Sequence, residues 1–288
     1  MSALFYYILI KPVSFLPFPL LYLFSDILYL LFYYVIGFRK KIVRGNLSRS
    51  FPKLELSEIK SIERKFYKHL VDLILESAKL YSISESQLRQ HFIKRNPEVL
   101  NRFFEEGKSV IIVAGHYNNW EMAGTSFPFQ TKHDTLGIYN PFHNKFFNKK
   151  TLKSRSRFGS ILIPHHHAKR YMVRHKEHPI ATVFGIDQSP TSRKHIYWNT
   201  FLGQDTAWFV GAERYAREFN YPVLYLHIVK VKRGYYEMEF EIIEENPANT
   251  SDGEILEKSI RYLEQKILEK PEYWLWSHRR WKRKREPV

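Results

Sequence analysis

The sequence predicts an α/β fold: a largely parallel central sheet flanked by helices, behind an N-terminal hydrophobic membrane-anchor helix. Three observations carry that prediction. Short apolar runs alternate with amphipathic segments through most of the chain, as in βα repeats. Residues 3 to 38 are almost uncharged. A His-x4-Glu pair follows directly on one of the apolar runs. With 288 residues, the chain is long enough for one large core.

The elements are read in order. In the first stretch only Lys11 and Asp26 carry charge, and Pro12, Pro17 and Pro19 break any helix early. Phe18 to Gly37 reads as a helix of about 30 Å, enough to cross a bilayer. Asp26 lies near its middle, where a carboxylate costs roughly 2.5–3.5 kcal/mol. The stretch is too long for a signal peptide, and no small-residue cleavage site follows. A spanning helix, an in-plane or re-entrant anchor, and a core helix of a soluble protein all remain open. Arg39, Lys40, Lys41 and Arg44 come next and place the body on the cytoplasmic side. The simplest division is an anchor with its basic flank over 1–45 and a catalytic domain over 46–288.

Leu56 to Leu80 is helical in pattern, with Ile59, Ile62, Phe66, Leu70 and Leu73 at spacings of three and four and Ser57 as cap. Val110–Ala114, Asp134–Tyr139, Ile161–Ile163, Ile180–Ile186 and Pro222–Val229 read as strands. Asn119–Phe127, Lys145–Phe158, Ala168–Lys176 and Trp208–Phe219 read as helices. Tyr235–Ile242 alternates apolar residues with Glu237, Glu239 and Glu241, the pattern of a half-exposed edge strand. Gly253–Lys270 is amphipathic, with Ile255, Leu256, Ile260, Leu263, Ile267 and Leu268 on one side.

Composition narrows the function. Lys plus Arg number 45 against 29 Asp plus Glu, a net charge of +16, which suggests an anionic partner: nucleic acid, acidic lipid or a phosphorylated substrate. The absence of cysteine excludes disulfides, thiolate metal sites and a cysteine nucleophile. Phe, Tyr and Trp number 22, 19 and 6 and gather toward both ends of the chain, which favours a membrane surface over nucleic acid. The basic, tryptophan-rich ending Trp274–Arg285 reads as a tail on anionic lipid. Phe201–Leu202 and Trp208–Phe209 suit either an apolar slot or ordinary core. His165-His166-His167, with His175 and His178, is not read as a metal site, because consecutive histidines on a regular element cannot all face one ion.

His116 and Glu121 are the first candidates for chemistry. On one helix, residues five apart sit roughly 140° apart. With His116 on the loop after a strand and Glu121 in the first turns of a helix capped by Asn118 or Asn119, the ring can fold back onto the carboxylate. Such a pair is a general base with an orienting acid, beside helix N–H groups that can bind an oxyanion. The alternative is a histidine capping the helix and a solvated first-turn acid. Arg155 and Arg157, two apart, suit bidentate phosphate contacts or an exposed basic helix end. Asp187 follows a strand, where ligand sites of open α/β sheets lie, or is a turn residue before Ser-Pro.

Gly115-His116-Tyr117-Asn118-Asn119-Trp120-Glu121 resembles the first motif of the lysophospholipid acyltransferase superfamily. More narrowly, its glutamate resembles the late lipid A acyltransferases, where glycerolipid enzymes usually have aspartate. Residues Gly37–Leu47, Tyr139-Asn140-Pro141 with Arg155–Gly159, Gly185–Pro190, Phe201–Ala207 and Pro271–Arg280 resemble further blocks of that family in the same order. The resemblance implies a glycerolipid acyltransferase-like fold and acyl transfer from acyl carrier protein or coenzyme A to a hydroxyl of a lipid A precursor. It implies no cofactor beyond that thioester co-substrate, and work at the cytoplasmic face of the cell inner membrane on an anionic phospho- or glycolipid acceptor. It makes His116 the base, Glu121 its partner, and Arg155, Arg157 and Asp187 substrate-binding or positioning residues. The family often has a basic residue after its second-block tyrosine; Asn140 stands there in this chain and leaves the acceptor open. An aminolipid, glycolipid or lysophospholipid acceptor is the alternative, as is a non-catalytic basic membrane adaptor.

Overall fold

The structure, a computed structural model, describes residues 2–175, 177–190 and 195–285. Among them is a seven-stranded sheet: β1 (Phe92–Lys94), β2 (Val110–Ala114), β3 (Asp134–Tyr139), β4 (Ile161–Pro164), β5 (Ile180–Gly185), β8 (Val223–Lys232) and β9 (Tyr235–Glu244). A hairpin of β6 (Ile196–Phe201) and β7 (Gln204–Phe209) stands apart from it. The strand order is β1-β9-β8-β2-β5-β3-β4, and only the β8–β9 pairing is antiparallel.

β2 shows why the sheet is parallel. All five of its residues are buried. Ile111 and Val113 enter one apolar cluster, and Val110, Ile112 and Ala114 enter the other. A strand covered on both faces needs a continuous apolar run, and short runs separated by helices form parallel crossovers. Because β2, β5, β3 and β4 run the same way, their C-terminal ends gather on one edge.

Several sequence expectations change in detail. β9 is not an edge strand: β1 pairs along Tyr236–Met238, and Arg95 faces Glu237 and Glu239. The Leu56–Lys79 helix is capped by a reciprocal Glu55–Glu58 box, not by Ser57. Trp208 and Phe209 end β7, and the helix begins only at Gly211. Trp208 sits opposite Tyr197 and donates from Nε1 to Asn199 Oδ1 at 2.7 Å, so cross-strand pairing overrides the helical pattern. Leu202 and Gly203 both have positive φ, as a two-residue hairpin turn requires. Leu268 lies on the exposed side of the Glu254–Glu269 helix.

The N-terminal stretch is helical earlier than its prolines suggest. A helical segment runs over Ser2–Phe15, breaks at Leu16–Pro17, and resumes at Phe18, with Pro19 in the first turn where no amide is needed. Phe18–Ile36 is long and apolar enough to cross a membrane. Its polar side lies on the body: Ser25 Oγ donates to Asp72 Oδ1 at 2.7 Å, and Arg233 Nη2 meets Asp26 Oδ1 at 2.8 Å. Tyr29 and Tyr33 join the main core, whereas Leu23, Ile27, Leu30 and Val35 face outward. Residue 45 falls inside the Lys40–Ser50 helix, whose Val43 and Leu47 pack into that core.

The C-terminal tryptophans do not lie on a surface as an interfacial tail would. Trp274 and Trp276 are fully buried, and Arg280 is buried with its guanidinium 4.3 Å from the centre of the Trp208 ring. The burial of the tryptophans follows from where the chain returns: Tyr117 bridges to Trp274, which pulls the ending beneath the C-terminal edge of β2.

Candidate active site

His116 stands two residues beyond Ala114, the paired end of β2, with Gly115 between them. A Cβ on Gly115 would come within 2.8 Å of Leu263 Cδ1 and 3.2 Å of Tyr225 Oη, so the chain passes there only without a side chain. The following loop is held from both sides. Leu275 N–H donates to the His116 carbonyl at 3.2 Å, and Asn118 N–H donates to Tyr273 O at 2.9 Å. Asn118 adopts positive φ, and its amide nitrogen donates to Ile228 O at 2.7 Å. Asn119 caps the Trp120–Ser126 helix, its Oδ1 accepting from Met122 N–H at 2.9 Å.

The carboxylate that meets His116 is Asp187. Ala114 pairs with Gly185 in the β2–β5 register, so His116 and Asp187 emerge side by side at the strand ends. His116 Nδ1 lies 2.5 Å from Asp187 Oδ1, and the His116 backbone N–H donates to Oδ2 at 2.8 Å. Trp274 Nε1–H donates to the same Oδ2 at 2.7 Å. A Cβ on Gly185 would stand 3.2 Å from His116 Cε1, so that glycine also leaves room for the ring. With the carboxylate at Nδ1, the proton sits there and Nε2 keeps its lone pair. The Gln188 amide nitrogen is 3.0 Å from Nε2, and both residues line the central cavity.

Two opposing influences set the titration of this pair. Burial alone would lower the His116 pKa, but the Asp187 charge and hydrogen bond, helped by Glu121, outweigh it and raise the pKa above the ordinary histidine value. Burial likewise pushes Asp187 upward, yet His116 and the Trp274 and backbone donors bring it down to about 2.

Glu121 therefore does not orient the His116 ring as the sequence suggests. It sits in the first turn of its helix and pairs with Arg155, with Nε to Oε2 at 2.9 Å and Nη2 to Oε1 at 2.5 Å. The fork-to-fork geometry favours arginine over lysine. Burial opposes charge on Arg155, and Glu121 more than restores it, so the arginine pKa is raised. Arg157 points elsewhere: Nη1 donates to Ile83 O at 2.7 Å, and the residue is not among those lining the cavity.

A cavity of about 500 Å³ opens at His116, Glu121 and Arg155 and continues between walls such as Phe127, Leu136, Leu162 and Leu226. Of the residues suggested for an apolar slot, Phe209 reaches this space, whereas Phe201, Leu202 and Trp208 are core. His165, His166 and His167 form an exposed turn, and no group of three or more metal-type side chains occurs among the described residues. The sequence places Trp274 in a lipid-facing tail and gives Gln188 no role. Each lies in a segment quoted for its resemblance, but only the fold brings it to the histidine.

A mostly apolar cavity that opens at a hydrogen-bonded histidine, on the carboxyl edge of a parallel sheet, suits transfer of an apolar group to a hydroxyl. Comparison with known proteins makes the class specific. The family described as bacterial lipid A biosynthesis acyltransferase matches residues 1–283, and the chain belongs to that family. It is an acyltransferase of the lipid A type. Among its relatives is the lipid A biosynthesis palmitoleoyltransferase of Escherichia coli (strain K12), 23% identical over 251 residues, which are 85% of this chain and 79% of that one. The lipid A biosynthesis acyltransferase of Shigella flexneri is similar to the same extent, 23% over 251 residues with 85% and 79% coverage.

Proposed function

We propose that the protein transfers a fatty acyl chain from a thioester, carried by acyl carrier protein or coenzyme A, to a hydroxyl of a lipid A precursor. The observation that carries the mechanism is the orientation of His116: Asp187 occupies Nδ1, which leaves Nε2, 3.0 Å from the amide nitrogen of cavity-lining Gln188, as the basic nitrogen of the ring. The acceptor hydroxyl gives its proton to Nε2 as its oxygen attacks the thioester carbonyl. Asp187 holds the tautomer and stabilises the imidazolium that forms. The tetrahedral intermediate collapses with cleavage of the C–S bond, and the leaving thiolate takes the proton back from His116. The new ester and the free thiol account for every atom.

Arg155, fixed by Glu121, is the cation placed to stabilise the carbonyl oxygen or to meet an acceptor phosphate. Glu121 thus acts through Arg155 and by favouring the imidazolium. The outward apolar face of residues 4–36 seats the protein on the inner membrane, and Arg39, Lys40, Lys41 and Arg44 favour its cytoplasmic face. The membrane supplies the acceptor.

The test is lipid mass spectrometry of source cells with and without the gene, complemented by wild type or His116→Ala. Loss of one acyl mass from lipid A, restored only by wild type, is the expected result. The same loss in an aminolipid or lysophospholipid would replace the acceptor. Purified protein given acyl carrier protein or coenzyme A thioesters in parallel identifies the donor. No transfer in any arm would overturn the reading.

A further inference from the structure

Glu76 is fully buried in the last turn of the Leu56–Lys79 helix, and the mechanism above does not use it. A buried carboxylate is costly unless it is hydrogen-bonded, so its partners show what it is for. They come from three separate parts of the chain. Tyr22 of the N-terminal apolar helix donates to Oε1 at 2.7 Å. Tyr236 of β9 donates to Oε2 at 2.8 Å. Asn119, the cap of the active-site helix, donates to Oε2 at 2.6 Å.

The contact with Asn119 matters most. Its oxygen caps the helix that carries Glu121, and its nitrogen is tied to Glu76. Flipping the amide would lose both bonds, so Glu76 fixes the cap in the one orientation that works. Asn119 is three residues from His116, on the loop that aims the ring at Asp187. Tyr22 in turn is clamped: a Cβ on Gly234, in the β8–β9 turn, would overlap its hydroxyl at 1.9 Å.

We infer that Glu76 is a positioning residue for the His116 loop, and that through Tyr22 it makes the active geometry depend on the seating of the N-terminal apolar helix. The inference rests on the proposed role of His116. An enzyme whose acceptor is a membrane lipid gains from such a link, because the loop is in register only when the membrane-facing helix is docked.

The carboxylate must be ionised to accept from three donors fully. Burial raises its pKa to about 7, with Asp72 adding to the rise, while the Tyr22 and Tyr236 hydrogen bonds and Lys230 oppose it. Asp72 is itself held by Arg233 and lies 3.9 Å from Lys230 Nζ. Protonation as pH falls through 7 weakens the acceptor, so Glu76 and His116 both lose their working form on the acid side.

The experiment compares Tyr22→Phe, Tyr236→Phe and Glu76→Gln in the full-length protein. Expected are a fall in kcat of about threefold to tenfold for each tyrosine variant with KM nearly unchanged, and a larger fall for Glu76→Gln. The acid limb of kcat/KM, steeper than one proton in wild type, should become a one-proton limb in Glu76→Gln. NMR titration of the His116 imidazole, assigned with His116→Ala, gives a readout that needs no turnover. Tyr22→Phe should lower the His116 pKa as contact with Asp187 loosens. A lowered Tm with unchanged kcat and unchanged His116 titration would overturn the inference and leave Glu76 a purely structural residue. Should Glu76→Gln fail to fold, the two tyrosine variants carry the test. Wild type that transfers no acyl group would sink the proposed function, and the His116 titration would still decide the link.

Discussion

At the scale of residues, the candidate site is two charge pairs, His116 with Asp187 and Arg155 with Glu121. His116, Glu121, Arg155 and Asp187 all stand out in the sequence, and all four lie at one edge of the sheet. Nearness in sequence suggested His116 with Glu121. The parallel β2–β5 register instead delivers Asp187, 71 positions away, to Nδ1. β2 and β5 are neighbours in the sheet but not in sequence, so the local pattern of neither strand shows that the two ends meet. The pairing has consequences for pH. His116→Ala should cost about 10²–10⁴-fold in rate, the usual span for a general base. Asp187→Asn should lower the plateau by roughly two orders of magnitude. It should also shift the acid limb to lower pH, because removing the carboxylate removes what raises the His116 pKa. An unshifted limb in a pH–rate profile would reject the pairing. Glu121→Ala and Arg155→Ala, made singly and together, should be strongly non-additive, since either change leaves the other charge unpaired. Gly124 gives the cavity its reach: it lines the space, and a Cβ there would meet nothing within 4 Å. Gly124→Leu should therefore shift preference toward shorter acyl donors in a competition assay, with folding retained. Unchanged chain preference would mean that the acyl chain runs elsewhere.

At the scale of elements, segments with a clear apolar pattern were read within a few residues, because burial on one face enforces a period and burial on both enforces a continuous run. The Leu56–Lys79 helix and strands β2 and β3 are examples. The β6–β7 hairpin was not read, since its Leu202-Gly203 turn lacks the usual Asn-Gly or Asp-Gly signal and Trp208–Phe209 also suit a helix start. The N-terminal helix held the other ambiguity. Asp26, costly in a bilayer, is accounted for by Arg233, whose guanidinium also grips Asp72. A helix tied along its polar side to the body is suited to lie in the membrane plane with only its outer side in lipid. Leu23 and Ile27 are 60% and 58% exposed on that outer side. Leu23→Lys with Ile27→Lys should abolish flotation with vesicles while leaving Tm nearly unchanged, because neither side chain packs in the core. Retained flotation would place the lipid contact on another surface.

At the scale of the whole molecule, the net charge of +16 is the property to explain, and where the charge lies gives a test of lipid against nucleic acid as the partner. Many cations are already used internally, as with Arg44 on Glu63, Arg155 on Glu121 and Arg233 on Asp72. The exposed remainder includes Lys145, Lys149 and Lys153, four apart along one face of the Lys145–Arg155 helix. That helix abuts the N-terminal apolar segment: Phe147 packs edge-on against Phe5 at 6.4 Å, and Lys150 donates to the Tyr7 hydroxyl at 3.0 Å. A cationic row beside an outward apolar face matches a bilayer with anionic headgroups over a hydrocarbon core, whereas a nucleic acid has no use for the apolar half. Each lysine near an anionic surface contributes roughly 1 kcal/mol, so replacing all three by alanine should weaken binding to anionic vesicles by about two orders of magnitude at low salt. Binding to neutral vesicles, driven by the apolar face, should barely change. Raising ionic strength to 1 M shortens the Debye length to about 3 Å and should erase the difference between wild type and variant. Equal losses on neutral and anionic vesicles would show that the row supports the fold of the N-terminal segment rather than reading charge. A salt-steep affinity for RNA or DNA, removed by the same substitutions, would return the charge to a nucleic-acid partner.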